Sequence, residues 1–181
     1  MKLSILICTL EQRKQYFDRL IRQLQPQKTN DVEILFLRDN RQASIGTKRN
    51  LLLQSAQGDY TAFIDDDDRV STRYVNLLLE GIEQGVDCCS LIGEITFNGR
   101  RPQKFIHSIE YKEYFERGKV YYRPPNHLNC IKAEISKQFV FPEINMYEDT
   151  NWAMQICDAG VLKTEHKIEE TLYFYDWIKK R

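Results

Sequence analysis

The stretch Phe63-Ile64-Asp65-Asp66-Asp67-Asp68 places four consecutive carboxylates where an apolar run gives out. Tyr60 to Ile64 is β-branched and aromatic, the composition of a strand, and the segment from Ser71 onward reads as a helix. The acids therefore fall at the carboxyl end of a strand, the edge where α/β sheets bind ligands. Like charges in consecutive positions repel, so an acidic run held in a fixed place needs a counter-ion. Oxygen-only ligands suit a hard divalent cation, Mg²⁺ or Mn²⁺. The plainer alternative is a solvated acidic loop.

Outward from this run the first half alternates strand and helix. Leu3 to Cys8 and Val32 to Leu37 are short apolar runs consistent with buried strands. Tyr16, Phe17, Leu20, Ile21 and Leu24 repeat at helical spacing and stop before Pro26. Further helices are expected from about Gly46 to Ala56 and through Val75, Leu78, Leu79 and Ile82, closed by Gly58 and Gly85. Such alternation implies a mostly parallel sheet flanked by helices, a three-layer α/β fold.

The second half changes character. Cys88 to Phe97 is strand-like, and Asn98-Gly99 is a hairpin turn before a strand at Lys104 to Ile106. A short helix is expected around Tyr111 to Glu116, strands near Leu128 to Lys132, Val161 to Glu165 and Thr171 to Tyr175, and a helix from Asp149 to Asp158 stopped by Gly160. One domain is expected over residues 1–181: a nucleotide-type half to about residue 95, then a mixed acceptor-type half.

The 181 residues carry 26 basic and 26 acidic side chains, so no global charge points to nucleic acid or an anionic membrane. Ten Tyr and nine Phe argue against disorder. Cys8, Cys88, Cys89, Cys130 and Cys157 lack metal-ligand spacing, and most lie in apolar runs, as buried thiols of a reducing compartment do. Leu3 to Leu10 is too short to span a membrane. The cytoplasm is the default expectation, with any membrane contact peripheral, at the inner face.

Three strand ends point to one edge: Thr9, Asp39 and the acidic run. A carboxylate after the second strand can bond a base or ribose, or simply be a turn residue. Gly46-Thr47-Lys48-Arg49-Asn50 opens a helix without phosphate-loop spacing, and its Lys48 and Arg49 balance phosphate, meet the base or form a solvated basic turn. Glu148-Asp149 stands at a helix start, where acids are common as caps and where the dipole keeps a carboxylate ionised, as a general base requires. His107, His127 and His166 read as ordinary polar residues, with Asn126-His127-Leu128-Asn129 near the acceptor or donor sugar. Tyr121 and Tyr122 are candidates to stack on a sugar, and core packing is expected for Trp152.

In this order the features resemble the family 2 glycosyltransferases, which have the GT-A fold. The marks run from Ser4-Ile5-Leu6-Ile7-Cys8-Thr9 through Asp39, Gly46 to Asn50, Gly58-Asp59-Tyr60 and the acidic run to Phe141-Pro142-Glu143 and Glu148-Asp149. The resemblance implies a metal-dependent, inverting transfer of a sugar from a nucleotide-sugar, expected to be a UDP-sugar, to a hydroxyl of a glycan, lipid, protein or small molecule. It implies Asp67 as the metal ligand, with Asp65 and Asp66 near the ribose or sugar. The alternative D-x-D register is Asp66/Asp68. Thr9, Asp39 and Arg49 belong to the nucleotide-sugar site, Asp149 is the base, and Glu148 supports it or touches acceptor. No Q-x-x-R-W follows the acidic pair, which disfavours a processive synthase. A nucleotidyltransferase on a similar sheet and a non-catalytic nucleotide-binding module are the other readings.

Overall fold

The computed structural model describes residues 1–178. Along the chain run β1 (Leu3–Leu10), α1 (Lys14–Leu24), β2 (Val32–Asp39), α2 (Ile45–Ser55), β3 (Tyr60–Phe63), β4 (Arg69–Val70) and α3 (Tyr74–Glu83). There follow β5 (Cys88–Cys89), β6 (Leu91–Phe97), β7 (Arg100–His107), β8 (Phe115–Arg117), β9 (Val120–Arg123) and β10 (Ile131–Lys132). The chain continues through α4 (Ala133–Ser136), α5 (Glu148–Ala159), β11 (Glu165–His166) and β12 (Thr171–Trp177). No described helix is long and apolar enough to cross a membrane.

The first sheet has the order β11-β5-β10-β3-β1-β2. Its central strand β1 lies parallel to both β2 and β3, while β10 is antiparallel to its neighbours. Both faces are covered, which is why β1 is a continuous apolar run rather than an alternating one. Leu3, Ile5 and Ile7 pack with Phe17, Leu20 and Leu24 of α1 and Val75 and Leu78 of α3. Leu6 and Phe63 face the other way, toward Leu52 and Leu53 of α2 and Trp152 and Ile156 of α5. Trp152 is thus a core residue, stacked on Phe141 at 4.7 Å.

A second sheet, in the order β4-β12-β6-β7-β9-β8, packs beside the first. It was not anticipated as a separate sheet. The expected strand Cys88 to Phe97 is two strands: β5 joins the first sheet and, past Ser90, β6 joins the second. The expected helix at Tyr111 to Glu116 does not form. Phe115 is drawn onto β9 instead, stacking on its register partner Tyr122 at 4.9 Å, with Tyr111 edge-on to both. The strand expected from Val161 shrinks to Glu165–His166, because Asp87 Oδ2 takes the backbone N–H groups of Lys163 and Thr164. The strand expected from Leu128 begins only at Ile131, since Asn126 to Asn129 form a side-chain-stapled turn.

Candidate active site

Parallel pairing of β1 with β2 sets Leu10 opposite Asp39, and Ile64 continues β3 by donating its N–H to Leu6 O at 3.0 Å. Thr9, Asp39 and the acidic run therefore share the carboxyl edge of the sheet. Along the run exposure alternates: Asp66 and Asp68 are buried, and Asp65 and Asp67 keep carboxylates 39% and 44% exposed.

The two buried acids are both hydrogen-bonded within the protein. Asp66 accepts from Thr9 Oγ1 at 2.7 Å and from Arg13 Nε at 2.9 and 3.0 Å. Asp68 accepts from the Tyr173 phenol at 2.6 Å, and burial, then the neighbouring Asp65, pushes its carboxyl well above the usual range. Arg13 also reaches Asp67 Oδ2 at 2.8 Å, and Arg19 donates to the Asp67 carbonyl. The counter-ions that the acidic run demands are thus in part arginines.

Helix α2 supplies the next layer. Ser44 caps it by accepting the Thr47 N–H. Lys48 is buried and donates to the Thr9 carbonyl at 3.1 Å and to Asp39 Oδ1 at 2.8 Å, while Ala43 N–H donates to Asp39 Oδ2. Burial acts to raise the Asp39 carboxyl, but these bonds outweigh it and hold it below its ordinary value. Arg49, also buried, lies between Phe63 and Phe141 and joins Asp65 Oδ1 at 2.9 Å to Glu148 Oε1 at 3.3 Å. It is an internal strut. Burial opposes charge on Asp65 as well, yet Arg49 and then His127 hold its carboxyl well below the usual range.

The segment that leads to the acidic pair is tied to the same helix. Asn50 exchanges two 2.9 Å hydrogen bonds with the backbone of Phe141, and Gly46 N–H donates to Ile144 O. A Cβ at Gly46 would lie 1.8 Å from the Pro142 carbonyl oxygen, so only glycine allows this approach. Tyr147 then takes a left-handed φ of 65°, and α5 begins with Glu148 turned inward to Arg49 and Asp149 left 33% exposed.

One residue read as ordinary joins the two halves. His127 is buried, with Nε2 3.6 Å from Asp65 Oδ2 and Nδ1 3.7 Å from Asp149 Oδ2. Arg13 and Tyr173 were also missed. An arginine just beyond the first strand end was a usable signal for a counter-ion; nothing in the sequence marks Tyr173. Tyr121 and Tyr122, the stacking candidates, lie half-buried on β9.

Among the described residues no three His, Cys, Asp or Glu side chains form a metal cage. The exposed Asp67 carboxylate fits a different kind of site, in which one or two carboxylates hold a cation whose other ligands are substrate phosphates and water.

A comparison with curated proteins returns no match. Solved structures do match in fold. TarS 1–349 from S. aureus in complex with UDP-GlcNAc superposes with a TM-score of 0.72 at 15% identity, over 100% of this chain and 60% of that one. The same TarS fragment with UDP gives 0.71 at 16% identity, over 98% and 61%. At this identity the likeness is one of fold, and this chain spans about 60% of the length of those chains. The fold is GT-A. The family model "Glycosyl transferase family 2" matches residues 37–144, more than half of the 181, and the chain belongs to that family.

Proposed function

We propose that the chain transfers a sugar from a UDP-sugar to an acceptor hydroxyl in one inverting displacement, with Asp149 as general base. The observation that carries this reading is that Asp65 and Asp149 flank the same imidazole, at 3.6 and 3.7 Å. A partly exposed carboxylate at a helix start thus stands one ring-width from the acidic run. Family membership and the UDP-GlcNAc and UDP complexes of TarS support a uridine-linked donor.

In this mechanism the Asp149 carboxylate, at the amino terminus of α5, takes the proton of the acceptor hydroxyl. The freed oxygen bonds to the anomeric carbon as the bond from that carbon to the diphosphate breaks. Thr9 and Asp39 lie at the nucleotide end, Asp39 with its carboxylate fixed by Lys48 and Ala43. Arg49 holds Asp65 and Glu148 in place, so Glu148 supports the base through that strut. Alternation of exposure favours Asp65/Asp67 as the D-x-D register, with Asp65 near the sugar or ribose and Asp66 tied down beneath it. A Mg²⁺ or Mn²⁺ ion at Asp67, completed by diphosphate oxygens and water, would neutralise the charge leaving on the diphosphate. Residues up to about 95 serve the donor and those beyond it the acceptor. The reaction belongs in the cytoplasm or at the inner face of a membrane, on a glycan, lipid, protein or small-molecule hydroxyl.

The test is thermal-shift titration of nucleoside diphosphates with and without Mn²⁺, followed by a UDP-sugar panel read as UDP release. Stabilisation by UDP that requires Mn²⁺, and turnover of one panel member, are expected. Indifference to every nucleoside diphosphate would sink the reading.

A further inference from the structure

His127 is a buried polar group to which the mechanism above gives no task. Its backbone is fixed: the carbonyl accepts Phe63 N–H at 2.9 Å, and the surrounding turn is stapled by Asn126 Oδ1 to Leu128 N–H and by Asn129 Oδ1 to Asn126 N–H. Asn129 is itself tied to Cys89 O and to His107 Nδ1. Phe63 packs edge-on to the ring. Yet among the described residues neither ring nitrogen has a hydrogen-bond partner, and both are shut off from solvent. Buried polar atoms without partners are costly and uncommon, and a turn this well fixed does not place both by accident.

Each nitrogen instead faces a carboxylate, at a separation about half an ångström beyond hydrogen-bond length. Carboxylates only accept, so the ring serves Asp149 only with a proton on Nδ1, and serves Asp65 as well only with a second on Nε2. Other charged or titratable groups near this pair are Arg49 at Asp65, His107 behind Asn129, and Tyr114, whose phenol feels the Asp149 charge. We infer that His127 is a positioning residue: its Nδ1–H holds the Asp149 carboxylate in orientation. This rests on Asp149 being the base.

Side-chain ¹⁵N spectra of the free chain test the contact directly. His127 is identified by the resonances absent from H127F or H127Q. A proton on Nδ1 is expected, and D149N should move that resonance while leaving His107 and His166 unchanged. A bare Nδ1, or one indifferent to D149N, overturns the inference. UDP release from UDP-GlcNAc with Mn²⁺, water serving as acceptor, tests the consequence. H127F should lower kcat roughly 100-fold, the scale of a misplaced reacting group, with UDP affinity unchanged. H127Q, which keeps an N–H donor, should lose less. Because Phe replaces two unbonded nitrogens, Tm should hold or rise; a lower Tm with unchanged kcat assigns packing alone and overturns the inference. An inactive D149N beside a fully active H127F overturns it and leaves the base in place. Full activity in D149N removes the base assignment, and the inference with it.

Discussion

The Tyr173 phenol donates to Asp68 Oδ2 across 2.6 Å and accepts the Asp65 backbone N–H at 3.1 Å. One side chain of the second sheet thereby grips both ends of the acidic run. Y173F leaves a buried carboxyl and a backbone N–H without that partner, which should cost about 1–3 kcal/mol. Urea denaturation should show a lower midpoint at unchanged slope. Mn²⁺-dependent UDP binding should weaken too, since the loop that presents Asp67 loses its anchor.

Arg49 gives a sharper prediction. It is buried between two aromatic rings and pairs with two acids from distant segments. R49M keeps the bulk but leaves Glu148 buried without its cation, and breaking such a pair costs about 3–5 kcal/mol. R49K should rescue little, because an ammonium cannot present the guanidinium fork that serves Asp65 and Glu148 together. Equilibrium unfolding of both variants checks this; a Lys variant as stable as the parent would refute it.

These two contacts show where the sequence could be read and where it could not. Strands β1 and β3 were legible because a strand buried on both faces must be apolar throughout, and β2, the partly buried edge strand, because its run from Ile34 to Leu37 is apolar too. Their parallel pairing then brought Thr9, Asp39 and the acids to one edge. Strands β6, β7 and β12 were found only in part and β8 and β9 not at all, since their sheet is assembled by pairing such as β12 with β6, far apart in sequence. The alternation of exposed and buried aspartates was likewise invisible. It depends on Arg13, 53 residues from Asp66, and on Tyr173, 105 residues from Asp68. His127 was visible as a residue but not as a bridge.

His107 makes stability depend on pH. Burial, then the nearby Arg123, lowers its pKa from 6.5 to about 3, so the folded chain keeps it neutral. Below about pH 6.5 the unfolded chain takes up a proton that the folded chain refuses. Its contribution is therefore whole above that pH and is lost as pH falls toward about 3, at about 1.4 kcal/mol per pH unit. H107Q should flatten the stability profile by that slope between about pH 4.5 and 6, a window above the ordinary carboxylate range. The difference between wild type and variant isolates this group from Glu165, whose carboxyl burial raises and which acts with opposite sign. Parallel profiles for the two proteins would refute the assignment.

Asp67 and Asp149 should separate binding from chemistry. Asp67 is exposed on the acidic run and Asp149 is partly exposed on α5, so either carboxylate can lose its charge without breaking the core. On the proposed reading D67N weakens an oxygen ligand for the cation, and it should lower Mn²⁺-dependent UDP affinity by at least about tenfold, a change of about 1.4 kcal/mol. On the same reading D149N leaves the nucleotide end intact and removes the proton acceptor. UDP affinity should then stay near that of the parent while transfer falls by about 10²–10⁴-fold, the usual worth of a general base. Calorimetry with UDP and Mn²⁺ gives the first quantity and UDP release from the active donor gives the second. If D149N weakened UDP binding as much as D67N, Asp149 would belong to the donor site and the acceptor-side base would have to be sought elsewhere. Retained transfer in D149N would have the same consequence by the opposite route, since a hydroxyl attacking at neutral pH still needs a group to take its proton.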